Sequence, residues 1–224
     1  MDALNAYIDH TKLGPSVSFQ DIDNLIEEGI QYQFKSLCIN SHFVSYVAAK
    51  LKNTTILTCT VVGFPHGSHT KEAKIAETKQ AILDGADEID MVLNLTYVKT
   101  KNQIKTIEDI KSVVEAASHR CVKVILETCY LSDDEIIFAC ECAKEAGAHF
   151  VKTSTGFGTH GATIAHVKLM KQTVGDALEV KASGGIKDRE DALNMIEAGA
   201  TRLGTSKGVS IIENKENLHA NTSY

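Results

Sequence analysis

Two lysines stand in short segments that read as strands, Phe150-Val151-Lys152-Thr153-Ser154 and Glu179-Val180-Lys181-Ala182-Ser183, and an aspartate stands in a third, Glu88-Ile89-Asp90-Met91-Val92. Side chains of an extended segment alternate between two faces. Lys152 therefore shares a face with Phe150 and Ser154, Lys181 shares one with Glu179 and Ser183, and Asp90 lies opposite Ile89 and Met91. In Cys121–Glu127, Lys123, Ile125 and Glu127 make one face, and Val122, Val124 and Leu126 make the other. The apolar face should meet helices and the polar face should point inward. Charges are rarely buried without partners, so several on neighbouring strands point to a functional cluster.

A free lysine amine has a pKa near 10.4 and is almost wholly protonated at neutral pH, so it is no nucleophile. Burial and a second cation nearby both disfavour its charge. A buried lysine tuned to about 7–8 can attack an aldehyde and form an imine. Lys152 and Lys181 suit that pairing if their strands are neighbours, and Asp90 would shuttle protons directly or through a water. The alternative is an Asp–Lys ion pair that holds the strands together. It accounts for one lysine and leaves the second uncompensated.

Phosphate needs donors without bulk. Ser183-Gly184-Gly185-Ile186 follows one late strand segment and Gly204-Thr205-Ser206 ends the next, while Thr155-Gly156 after the Lys152 segment could add a donor. Loops after the last strands of a barrel often hold phosphate. His66 and His69, in Gly63-Phe64-Pro65-His66-Gly67-Ser68-His69, have the spacing of two metal ligands but no evident third. A glycine-rich turn is the preferred reading of that loop, and no metal is expected.

These residues need a frame. Strand-like runs are expected at Tyr7–Leu13, Ser36–Asn40, Thr55–Gly63, Ile89–Asn94, Val122–Thr128, Phe150–Ser154, Glu179–Ser183 and Arg202–Thr205. Helix-like stretches at Ser18–Gly29, Lys71–Asp84, Asn102–Ser118, Ser132–Ala146, Ala162–Val174 and Asp188–Ala198 lie between them. Ser132-Asp133-Asp134-Glu135 has the form of a capping box. Strand then helix, repeated about eight times, reads as parallel α/β. A weak repeat supports a closed ring: Gly85-Ala86, Gly147-Ala148 and Gly199-Ala200 each end a helix, and five residues beyond each glycine stand Asp90, Lys152 and Gly204. Glycine is the usual left-handed helix stop.

The 224 residues, 43% of them hydrophobic, suffice for one core, and no linker interrupts them, so one domain is expected with a polar tail at 214–224. A net charge of −6 with no long basic run argues against a nucleic-acid surface. No apolar run approaches the roughly 18 residues of a membrane span. The six cysteines form no pair of CxxC motifs, which argues against a zinc site, and are expected to be reduced thiols, mostly buried. The polar opening Met1-Asp2-Ala3-Leu4-Asn5 carries no sign of a leader, and a cytosolic protein is expected.

At these residues the sequence resembles the deoxyribose-phosphate aldolase family of class I aldolases. Asp9-His10-Thr11-Lys12-Leu13, Gly63-Phe64-Pro65-His66-Gly67 and Glu88-Ile89-Asp90-Met91-Val92 look like three of its signatures. Phe150–Phe157 looks like its Schiff-base motif and Val180–Ile186 like its second-lysine motif, and the likeness covers nearly the whole chain. The resemblance implies a (β/α)8 TIM barrel that reversibly cleaves 2-deoxy-D-ribose 5-phosphate to D-glyceraldehyde 3-phosphate and acetaldehyde, with no cofactor, as a possible homodimer. By position, it makes Lys152 the Schiff-base lysine, Lys181 its tuning partner and Asp90 the proton carrier. Gly184, Gly185, Gly204 and Ser206 would line the phosphate site, with Lys207 beside Ser206. Asp9 and Thr11 would line the sugar end, Lys123 would lie one layer lower, and the C-terminal Tyr224 would assist proton movement. Another lysine-imine aldolase or transaldolase, or a non-catalytic barrel that binds phosphorylated ligands, stays open as an alternative.

Overall fold

The structure, a computed structural model, describes residues 4–214; Tyr224 lies outside the described residues. Eight parallel strands close into a barrel in chain order. They are β1 (Ile8–Lys12), β2 (Ser36–Ile39), β3 (Leu57–Val62), β4 (Glu88–Val92), β5 (Cys121–Ile125), β6 (Phe150–Lys152), β7 (Glu179–Ser183) and β8 (Arg202–Thr205), with β8 pairing back onto β1. The helices are α1 (Phe19–Tyr32), α2 (Val44–Leu51), α3 (Lys71–Leu83), α4 (Leu95–Lys99), α5 (Gln103–Ala116), α6 (Asp133–Glu145), α7 (Ile164–Val174), α8 (Arg189–Glu197) and α9 (Gly208–Glu213).

Strand alternation sorts the side chains as expected. Ile89, Met91, Val122, Val124, Val151, Val180 and Leu203 face outward and join one core with helix residues such as Ile110, Val113, Ile136, Val167 and Ile211. The inner face holds a small apolar patch of Cys38, Cys59 and Val61 beside buried charged groups such as Asp90, Lys123 and Lys181. Both Ser18 on α1 and Ser132 on α6 form capping boxes, with Asp21 and Glu135 as the reciprocal partners. Gly85, Gly147 and Gly199 have φ of 103°, 77° and 111°, the left-handed stops that turn α3, α6 and α8 into the next strand.

Two expectations need correction. Gly29 does not end α1, which runs on to Tyr32 and stops at Gln33 in the left-handed conformation. A Cβ at Gly29 would lie 2.7 Å from Leu37, so this glycine serves close approach of helix to strand. The segment between β2 and β3 contains an unanticipated helix, α2, that buries Val44, Val47 and Leu51. It lacks a side-chain cap, so the usual start signal is missing.

Candidate active site

A cavity of about 490 Å³ opens where the loops leave the C-terminal ends of the strands, the end at which barrels of this architecture carry their sites. Thr11, Lys152, Thr155, Gly156, Gly184, Gly185, Gly204 and Ser206 line it, together with Lys12, Lys187 and Lys207. Among the described residues, no carboxylate lines the cavity. Gly184 and Gly185 have φ of 80° and 78°, a conformation that suits glycine. The β6–α7 loop closes onto this turn: the Ala162 amide donates to Ser183 O at 3.1 Å and Gly184 O at 3.0 Å.

Beneath the cavity floor lies a buried charge cluster. Lys152 and Lys181 are register partners on β6 and β7. Both ammoniums donate to the same oxygen of Asp90, Oδ2, at 2.7 Å each. Lys123, the register partner of Asp90 on β5, donates to its other oxygen at 2.8 Å and lies 2.6 Å from Glu88. Lys181 also bonds Asp9. Arg202 joins Asp9 Oδ1 at 2.7 Å to Glu88 Oε2 at 2.8 Å. Gly204 leaves room for this packing, since a Cβ there would lie 3.1 Å from Lys181 Cε.

The electrostatics follow from those contacts. Burial pushes the Asp90 carboxyl up, but the ammoniums of Lys123, Lys152 and Lys181 outweigh it and hold Asp90 well below the ordinary carboxylate range. Asp9 is likewise held low, against its burial, by Lys181, Lys123 and Arg202. Burial opposes the charge on Lys181, yet Asp9 and Asp90 raise it above the ordinary lysine range. Lys123 is raised in the same way, with Asp90 the leading counter-charge to its burial. Fully ionised, the cluster sets four cations (Lys123, Lys152, Lys181, Arg202) against three carboxylates (Asp9, Glu88, Asp90). Lys152 has the least compensation, one carboxylate oxygen shared with Lys181, and it alone of the four lines the cavity.

The structure thus brings Lys152, Lys181, Asp90 and Lys123 together, and places Thr11 and the four phosphate-loop residues around the cavity above them. Asp9 departs from its expected place. It is fully buried under the floor, where it compensates Lys181, so the second lysine is not left without a partner. Thr155 lines the cavity, but its hydroxyl proton is committed to Glu127, so that hydroxyl is no donor to phosphate. His10 of the first-strand segment faces outward and pairs with Glu28 at 2.6 Å. Among the described residues, the groups of three side chains close enough to share a metal are Cys38–Cys59–Asp90 and Asp9–Cys59–Glu88. His66 and His69 belong to neither. The loop that holds them turns at Gly67, where a Cβ would fall 2.0 Å from Leu93 O. All six cysteines are free, four of them buried.

Arg202, Glu88, Cys59 and Glu127 were missed from the sequence. Arg202 lies two residues before Gly204 and Glu88 two before Asp90, so strand alternation alone carried the signal for both.

The chain matches the model of the DeoC/LacD family aldolases over residues 4–214. It is 52% identical over 221 residues to the deoxyribose-phosphate aldolase of Acholeplasma laidlawii, covering 99% of each chain. It is 54% identical over 217 residues to that of Staphylococcus epidermidis, covering 97% of each. Among solved structures, the tetrameric deoxyribose phosphate aldolase from Aeropyrum pernix superposes with a TM-score of 0.88 at 30% identity, over 94% of this chain and 89% of that one. An inward lysine cluster under the cavity and these full-length matches lead to one conclusion: the chain belongs to the DeoC/LacD aldolase family.

Proposed function

We propose that this chain is a class I aldolase, a lyase that reversibly cleaves 2-deoxy-D-ribose 5-phosphate to D-glyceraldehyde 3-phosphate and acetaldehyde through an imine on Lys152. The observation that carries this reading is the position of Lys152: its amine borders the cavity and shares its carboxylate oxygen with the fully paired ammonium of Lys181.

The neutral Lys152 amine adds to the C1 aldehyde of the open-chain sugar, and water leaves as the protonated imine forms. That imine draws electrons from the C2–C3 bond, so cleavage leaves an enamine instead of a bare carbanion. The C3 hydroxyl loses its proton and becomes the aldehyde of glyceraldehyde 3-phosphate. A proton then returns to C2 of the enamine, and hydrolysis frees acetaldehyde and Lys152. Asp90, in contact with both Lys152 and Lys181, is the acceptor through which these protons pass, a role that typically contributes about 10²–10⁴-fold. Lys123 holds the other oxygen of Asp90 and so fixes its orientation. The turns Gly184–Gly185 and Gly204–Ser206, with Lys187 and Lys207 at the rim, receive the phosphate, and its anchoring aligns C1 over Lys152. No step of this scheme uses a metal or a cofactor.

The same reading takes the chain as one barrel domain, supported by the family match over residues 4–214, and proposes a cytosolic location and a possible homodimer. Among the described residues, no helix is long and apolar enough to cross a membrane. The deciding experiment is reduction with borohydride in the presence of acetaldehyde, followed by peptide mass mapping. An ethyl adduct on Lys152 is expected. Modification of Lys181 alone would reverse the two roles, and no adduct at all would remove the imine mechanism.

A further inference from the structure

Glu127 takes no part in the charge cluster, yet it is buried and sits in the left-handed region, φ 53° and ψ 61°, which a residue with a side chain adopts at a cost. It lies two residues past the end of β5 and turns its carboxylate onto the β6–α7 loop. The Thr155 amide donates to both of its oxygens, at 3.2 and 3.3 Å, and the Thr155 hydroxyl donates to Oε2. The same hydroxyl oxygen accepts from the Phe157 amide at 3.0 Å. The neighbouring Gly158 is held close, since a Cβ there would lie 3.2 Å from the Glu127 carboxylate.

A hydroxyl has one proton to give and two lone pairs to receive with. At Thr155 the proton and one lone pair are spent inside the protein. A single acceptor position is left, on a side chain that lines the cavity beside Lys152. Phosphate oxygens are themselves acceptors and gain nothing there. A substrate hydroxyl can donate to it.

We infer that Glu127 is a positioning residue for substrate specificity: by claiming the proton of Thr155, it makes that side chain an acceptor that reads a sugar hydroxyl next to the reacting carbon. The inference rests on the aldolase reading above. In the condensation direction the hydroxyl concerned is the one adjacent to the acceptor aldehyde. Removing its partner should cost about tenfold, the worth of one neutral hydrogen bond in a dry site.

The test compares two acceptors with acetaldehyde as donor: glyceraldehyde 3-phosphate, and 3-oxopropyl phosphate, which lacks that hydroxyl. The unaltered protein should favour the hydroxylated acceptor in kcat/KM by about tenfold. Thr155→Val should bring the ratio close to one, and Glu127→Gln, whose amide can donate back to Thr155, should lower it. Thr155→Ser should keep it. The double variant should lose no more selectivity than Thr155→Val alone, because both changes act on one contact. Borohydride trapping of acetaldehyde on Lys152 should persist in Glu127→Gln, because Glu127 stands behind Thr155 and does not line the cavity. An unaltered acceptor ratio in folded Thr155→Val or Glu127→Gln overturns the inference while leaving the aldolase reading in place. Lost trapping in Glu127→Gln would instead make Glu127 part of the imine chemistry and would also overturn it. Absence of trapping in the unaltered protein would count against the aldolase reading itself.

Discussion

Lys181 and Lys152 differ in what surrounds them more than in what they are. Lys181 touches Asp9 and Asp90, whereas Lys152 has a share of one oxygen of Asp90. Exchanging Lys181 for methionine removes the ammonium that shares Asp90 Oδ2 with Lys152. Lys181→Met is therefore expected to lower kcat by about 10²-fold or more at neutral pH. It should also move the pH profile of acetaldehyde trapping to the alkaline side. Steady-state kinetics and trapping across pH 6–10 check both, and an unmoved profile would mean that Lys181 does not govern the state of its neighbour.

At the level of elements, the loops that carry the site are tied from outside the barrel as well as from within. Lys74 on α3 is fully buried and donates to both oxygens of Asp109 on α5, at 2.8 Å each, and to Val92 O at the end of β4, at 2.9 Å. Asp109 also accepts from the Asn94 amide at 3.0 Å. The Gly63 backbone makes way for the Lys74 stem, because a Cβ there would lie 2.9 Å from its Cε. Burial lowers the Lys74 ammonium and raises the Asp109 carboxyl, each against the pull of the other, so this pair costs desolvation while it specifies where β4 ends. Lys74→Met strands a buried carboxylate and should destabilise the protein by about 3–5 kcal/mol, read as a fall in the thermal midpoint. Adding Asp109→Leu should recover most of that loss. A double variant no more stable than the single one would show that the pair is net stabilising.

For the whole molecule, the charge cluster also governs behaviour in acid. Asp9 and Asp90 have folded-state values below those of an unfolded chain, so the native state binds fewer protons than the unfolded state in that window. Their contribution is complete above about pH 5, beyond the ordinary aspartate value near 3.9, and is lost as pH falls through the lower folded values. Thermal midpoints should therefore fall steeply below about pH 4. Asp9→Asn should melt lower at neutral pH and show a shallower acid limb, because one depressed carboxylate has been removed. An identical acid limb would place the acid sensitivity elsewhere.

Strand alternation, glycine helix stops and serine caps were legible in the sequence because each is a local property of a few consecutive residues. They sufficed to predict a parallel α/β chain and to set Lys152, Lys181, Asp90 and Lys123 on inward strand faces, while the closed barrel was implied chiefly by the family resemblance. Which of these charges touch could not be read that way. Asp9 meets Lys181 across 172 residues of sequence because β8 closes onto β1, with Asp9 in register with Gly204. The proton of the Thr155 hydroxyl goes to Glu127 because β5 and β6 leave the barrel side by side. Local periodicity sets the face on which a side chain lies, but closure and stagger of the ring set its partners, and for buried charges the partners decide the chemistry.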